Sequence, residues 1–218
     1  MTPNLVTLTA PTSPVAEAYR RLRVNLMSAD KDGPLRTILV GAASASKDKA
    51  LVVANLAVAF AKVGKRVILV DCDLRHPSQH TLFGLGASEG VTTAVNAEQA
   101  PLPLQMTGVE NLFLLASGPH VEVASDLLAS PAMGRLVQRL QDEADIVLFD
   151  APPVTVATDA AELAVQVHGV LLTVTAGVTK RDDAQRAKEL LTQVGGRIVG
   201  VALVNVAAEA AVRDYLAA

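Results

Sequence analysis

A chain of 218 residues, half of them hydrophobic, is long enough to bury a core as one large domain. Its apolar mass is Ala, Val and Leu, with 3% aromatics and no Trp, which suits helices packed on a buried parallel sheet. A net charge of -3 excludes a general nucleic-acid surface, and the single Cys72 excludes an intramolecular disulfide and fits a reducing compartment. Residues 1–14 lack the basic and apolar regions of a signal peptide. The longest apolar run, 50–61, is interrupted by Asn55 and is too short to span a bilayer, so a cytoplasmic protein that reaches the inner face of the membrane through a partner is expected.

Residues 1–12 read as an extended arm. Ser13 with Pro14 marks a helix start, and Val15, Tyr19, Leu22 and Leu26 continue it at helical spacing to about residue 28. Residues 29–35 are a loop. Strand and helix patterns then alternate: a strand at 37–40, a buried helix at 49–63 stopped by Gly64, and strands at 66–70 and 111–115. An amphipathic helix at 131–143, strands at 146–149 and 170–174, a helix at 180–194 stopped by Gly195-Gly196, and a strand at 198–206 complete the pattern. This alternation predicts one α/β domain over 1–218, with a doubly wound, mostly parallel sheet flanked by helices.

In such sheets ligands bind beyond the carboxyl ends of the strands. Asp71-Cys72-Asp73-Leu74-Arg75 follows one apolar strand and Asp150-Ala151-Pro152-Pro153 another. Asp71, Asp73 and Asp150 are therefore the candidate catalytic carboxylates, and Asp71 and Asp150 the candidate Mg²⁺ ligands. The strand at 37–40 should feed a phosphate-binding loop of the form A/G-x-x-x-x-G-K-S/T. Ala43 begins such a frame, and Ser46, Lys47, Asp48, Lys49, Ala50 and Leu51 carry it into a helix, with Lys49 in the place of the phosphate-binding lysine. Asp48 stands where Gly would let backbone approach phosphate, and Ala50 stands where a hydroxyl would bind the metal. Binding of ATP or ADP with Mg²⁺ is therefore expected to be weak. His76 and His80 lack a third metal-ligand partner and read as surface residues, and Cys72 between two carboxylates reads as an unreactive thiol.

Three segments together resemble the cytoplasmic domain of the bacterial tyrosine kinases of capsule and exopolysaccharide synthesis, within the MinD-like P-loop ATPases. They are Ser13 to Arg23, Val67 to Pro77 and Ile146 to Pro153; Thr158-Asp159-Ala160 also fits. The Glu17, Arg20, Arg23 spacing is similar to the segment through which family members assemble into rings, so the helix over 13–28 is the candidate oligomerisation element. The resemblance implies a fold of the P-loop NTPase type, a membrane polysaccharide co-polymerase or activator subunit as partner, self-assembly or co-assembly with an active paralogue, and no nucleic acid.

The departures from that family bear on activity. Its members end in a tyrosine-rich tail, whereas this chain has only Tyr19 and Tyr215. An Asn that reads adenine near the end of the late strand is replaced by Val204, with Asn205 one step on, an offset that in a strand turns the side chain to the opposite face. The expectation is a pseudokinase scaffold or regulator with impaired ATP binding. The rival reading is an active ATP-dependent protein-tyrosine kinase or ATPase with a divergent loop, which the acidic motifs and Lys49 favour. A MinD- or ParA-like positioning ATPase fits less well, because Ser44 stands where that group has a second lysine.

Overall fold

The computed structural model describes residues 4–29, 33–45 and 48–206. In chain order the elements are α1 (Val6–Thr9), α2 (Pro14–Ser28), β1 (Thr37–Ala42), α3 (Asp48–Ala61), β2 (Val67–Asp71), α4 (Gln79–Phe83), α5 (Val91–Asn96), β3 (Gln105–Met106) and β4 (Leu112–Leu115). They continue with α6 (Ala124–Ala129), α7 (Pro131–Glu143), β5 (Ile146–Asp150), α8 (Asp159–Ala164), β6 (Gly169–Thr175), α9 (Arg181–Gln193) and β7 (Ile198–Val204). The strands form one seven-stranded sheet in the order β3-β4-β2-β5-β1-β6-β7. Every neighbouring pair is parallel except β3 with β4.

The central strands are fully buried, as their continuous β-branched and aliphatic runs require, and their side chains alternate between two cores. Leu39, Ile68, Val70, Val147 and Phe149 face one core, closed by Leu128 of α6, Leu136 and Leu140 of α7, Leu163 of α8 and Leu191 of α9. Ile38, Val40, Leu69 and Leu148 face the other, closed by Leu26 of α2 and by Val53, Leu56 and Phe60 of α3. Helices thus cover both faces, the doubly wound arrangement that the sequence predicts.

Local signals behave as expected at the long helices. Ser13 caps α2 by accepting the Ala16 N–H at 3.2 Å, and Ser130 caps α7 in the same way at Met133. The carbonyl end of α7 is met by two cations: Arg36 donates to Ala144 O at 2.9 Å and to Gln141 O, and Arg66 donates to Glu143 O.

The structure corrects the reading of residues 1–12 as an extended arm. Leu5 is fully buried, residues 6–9 form α1, and Thr7 donates from its N–H (3.0 Å) and hydroxyl (2.8 Å) to the Asn55 side chain of α3. The polar break in the buried helix is thus the anchor for the N-terminal segment, satisfied by partners 48 residues away. The short helices α4, α5, α6 and α8 and the two-residue β3 carry no sequence signal of their own, because none is long enough to show a hydrophobic period. The shifts of one or two residues at strand and helix ends are fraying of the usual size.

Candidate functional site

β2 and β5 are parallel neighbours whose register pairs Asp71 with Asp150, so two carboxylates lie side by side at the carboxyl edge of the sheet. Both are fully buried, and Asp73, two residues past the strand, is 7% exposed. Residues 43–45 follow β1, anchored by Thr155 Oγ1 donating to Ala43 O at 2.8 Å and by a 3.1 Å hydroxyl pair between Ser44 and Thr179, and α3 begins at Asp48. Of the phosphate-loop candidates, Ser46 and Lys47 lie outside the described residues. Asp48 is the first residue of α3 and half-buried, Lys49 is buried, Ala50 is half-buried and Leu51 is exposed.

Lys49 connects the loop to the acids. Its Nζ lies 2.5 Å from Asp150 Oδ1 and 3.1 Å from Asp73 Oδ2, and it donates to the carbonyl of Ala151. Burial disfavours the ammonium, but Asp150 and Asp73 outweigh it and the Lys49 pKa is raised. Asp71 is held by two backbone donors, the N–H groups of Ser78 and Gln79, each at 2.9 Å from Oδ2. Burial and then the neighbouring Asp150 push Asp71 up to about 7. Burial also raises the Asp150 carboxyl and, with Asp71 beside it, the Cys72 thiol, which fits the expected unreactive cysteine.

Gln79 is not among the sequence candidates, and Asp159, which enters there only within Thr158-Asp159-Ala160, has a partner that sequence spacing does not reveal. Gln79, fully buried at the start of α4, donates from Nε2 to Asp150 Oδ2 at 2.7 Å and to Ala50 O at 3.1 Å, tying the acids to the first turn of α3. The only sequence signal was a Gln eight positions past Asp71, which does not announce burial. Asp159 accepts both Arg75 Nε (3.0 Å) and Nη2 (2.9 Å), so Arg75 serves Asp159 rather than Asp71, Asp73 or Asp150. His76 is exposed and His80 half-buried, in line with their reading as surface residues.

Beside the first turn of α3 lies a cavity of about 460 Å³ lined by Thr9, Tyr19, Asp48, Asn55, Val204 and Asn205, among others. Val204 and Asn205 both line it, which corrects the expectation that the one-residue offset would turn Asn205 away. β7 ends at Val204, and Asn205 takes a left-handed φ of 60°, so strand alternation no longer applies there. In α2, Glu17 and Arg20 pair at 2.6 Å, and Arg20 also donates to Pro11 O at 2.7 Å; Arg23 is half-buried on the same helix.

The residues present can be tested against nucleotide and metal. Among the described residues no three His, Cys, Asp or Glu side chains are grouped to hold a metal ion; Asp71 and Asp150, aligned by strand register, are the residues that would face a cation, and Lys49 now meets Asp150 and Asp73. The phosphate side fits less well, because a carboxylate opens α3 and no hydroxyl follows Lys49.

Comparison with known proteins places this arrangement. The family described as "ParA: NUBPL iron-transfer P-loop NTPase" matches residues 36–210. The chain is 34% identical over 201 residues to the tyrosine-protein kinase YwqD of Bacillus subtilis, a match spanning 90% of this chain and 84% of that protein. The chain belongs to the ParA-like P-loop NTPases, among the bacterial tyrosine-protein kinases. It is also 29% identical over 201 residues to the tyrosine-protein kinase wzc of Salmonella typhi, covering 92% of this chain but 28% of wzc. Among solved structures, the chimerical protein CapA2B2 superposes with a TM-score of 0.86 at 32% identity, over 91% of this chain and 88% of that one. Among the described residues no helix is long and apolar enough to cross a membrane.

Proposed function

We propose that this chain is a scaffold or regulator of the bacterial tyrosine kinase family in capsule or exopolysaccharide synthesis, with impaired use of ATP. The observation that carries the reading is Asp48 at the first position of α3. The amino end of a helix attracts phosphate through its free N–H groups and its dipole, and here the protein supplies its own anion. At ~4 Å and an effective dielectric of ~20, a like-charge pair costs on the order of 4 kcal/mol before screening and relaxation. Ala50 removes a metal-binding hydroxyl as well, and Lys49 must leave Asp150 and Asp73 before it can reach a phosphate.

The partner reading rests on wzc, where the matching domain is 28% of a longer chain, whereas YwqD is matched over 84% of its length. A domain that stands within a longer protein in one relative and nearly alone in another acts together with what the longer chain carries. The proposed partner is therefore the cytoplasmic end of a polysaccharide co-polymerase or activator subunit, reached from the cytoplasm at the inner face of the membrane. Glu17, Arg20 and Arg23 are the proposed contacts for self-assembly or co-assembly with an active paralogue. Tyr215, the second tyrosine, lies outside the described residues.

Titration calorimetry with Mg-ATP tests the reading. The unaltered chain is expected to bind in the high micromolar range or weaker, and Asp48→Gly with Ala50→Ser to recover Mg-dependent binding. Tight binding by the unaltered chain would instead favour the active-kinase reading, which the intact convergence of Lys49 with Asp73 and Asp150 supports.

A further inference from the structure

One edge of the sheet is left partly uncovered. β7 is the last strand in the sheet order, and no strand pairs with its outer side among the described residues. Between β7 and α2 lies a cavity of about 430 Å³, lined by Val15, Ala18 and Leu22 on the helix and by Ala202, Leu203 and Val206 at the strand. Val15 is 51% exposed, Leu203 59% and Val206 57%, so the rim of this groove is apolar and open to water. A contiguous apolar surface of that kind marks a place of contact.

The chain itself leads into the groove. β7 ends at Val204, Asn205 takes a left-handed φ of 60°, and Val206 beyond it lines the cavity. α2 runs antiparallel to β7: Tyr19 near its start shares a cavity with Asn205, whereas Ala29 at its end accepts from Arg197, which precedes the strand. A chain that turns at Asn205 therefore meets the amino end of α2 first and can follow that helix towards its carboxyl end.

Residues 207–218 follow Val206 and lie outside the described residues. As a sequence they are rich in the helix formers Ala, Glu, Arg and Leu, and they set Val212, Tyr215 and Leu216 at i, i+3 and i+4, with Arg213 and Asp214 on the other side of such a helix. At ~1.5 Å per residue a helical segment of this length spans roughly 18 Å, close to the separation along α2 between Pro14 and Asn25, its first and last residues in the groove.

We propose that residues 207–218 dock into the α2–β7 groove of their own chain, with Val212, Tyr215 and Leu216 as the inserted side chains. The segment starts at the mouth of the groove, so its effective concentration there is on the order of 1 mM, and a contact with a dissociation constant of ~0.1 mM is occupied about nine-tenths of the time. Arg21 on the groove wall supplies a cation for a segment whose charges are Glu209, Arg213 and Asp214. Docking withholds Tyr215 from any modifying enzyme until the segment leaves. Glu17 lines the same groove, so where α2 serves assembly, as proposed above, the docked segment covers one of its contacts.

The test uses the full chain with a nitroxide label attached at Ala217→Cys; Cys72 is fully buried and stays unlabelled. Nuclear magnetic resonance of the isotope-labelled chain should show the amide signals of Leu22 and Asn25 losing most of their intensity to the nitroxide, and those of Leu136 and Leu140, on the opposite face of the sheet, keeping theirs. Adding Val212→Asp with Leu216→Asp, which lie outside the folded elements, should restore the lost intensity. A mixture of isotope-labelled chain without nitroxide and nitroxide-bearing chain without isotope should show no loss. Full intensity at Leu22 and Asn25 in the labelled chain, equal loss in the aspartate variant, or a loss that appears in the mixture would each overturn the docking, the last by placing the segment in a second copy. The readout involves neither nucleotide nor a partner protein, so failure of the docking and failure of the proposed function are told apart.

Discussion

Lys49 is the residue whose removal should cost the fold most. The residue is 5% exposed, and its ammonium lies 2.5 Å from Asp150 and 3.1 Å from Asp73 and also donates to the Ala151 carbonyl. Lys49→Met keeps the stem's bulk and deletes the charge, leaving the buried acids without a buried cation beside them. Breaking a buried ion pair by removing one partner costs roughly 3–5 kcal/mol, because the remaining charge is stranded rather than because the pair was strong. For a domain of this size each kcal/mol moves the melting temperature by about 2–4 °C, so Lys49→Met should melt roughly 6–20 °C lower in chelator-treated buffer. Adding Asp150→Asn should recover part of the loss, since it removes one stranded charge and keeps an acceptor. Thermal melts of the unaltered chain, both single variants and the double variant give the coupling directly. A loss under about 1 kcal/mol in Lys49→Met, or strict additivity in the cycle, would show that Lys49 does not neutralise these acids in solution.

Three other outcomes are expected. Asn55→Leu should destabilise the chain by about 1–3 kcal/mol and expose the segment around α1 to limited proteolysis, because both Thr7 donors lose their buried acceptor. Burial and then Asp48 hold the Tyr19 phenol up to about 12 against a usual 10.0. An ultraviolet titration should therefore show a late-ionising tyrosine that vanishes in Tyr19→Phe. The unfolded phenol ionises first, so the contribution of Tyr19 to stability is intact below about pH 10 and is lost as pH rises towards 12. Arg20→Ala with Arg23→Ala should shift the light-scattering mass of an oligomeric sample towards monomer, whereas an unchanged mass would exclude α2 as the interface.

Much of this molecule was legible before folding because its signals are local. The buried strands β1, β2, β5 and β6 are continuous apolar runs, and the ends of α2 and α7 carry Ser-Pro starts whose hydrogen bonds close within three residues. The candidate acids were legible for a related reason. An Asp directly after a buried strand must emerge at the carboxyl edge of the sheet, so Asp71, Asp73 and Asp150 could be named without knowing their neighbours. The degenerate loop was equally plain, since the loss of a Gly and a hydroxyl at Asp48 and Ala50 is a fact of composition at fixed spacing.

What the sequence by itself determined, then, is the list of elements, the acids at their ends and the chemistry missing from the loop. Only the tertiary structure decided which of these groups meet. The pairing of Asp71 with Asp150 follows from β2 lying beside β5, a neighbour relation set by how both faces of the sheet are covered. Gln79 reaches Asp150 across 71 residues of chain, Lys49 reaches Ala151 across 102, and Arg75 reaches Asp159 across 84. Asn55 interrupts a buried helix and is satisfied by Thr7 from outside it, and Asn205 escapes strand alternation because β7 ends at Val204. Period and propensity act over a few residues along the chain, whereas burial of a polar group is tolerated only when a partner arrives from elsewhere, and that partner is chosen by packing.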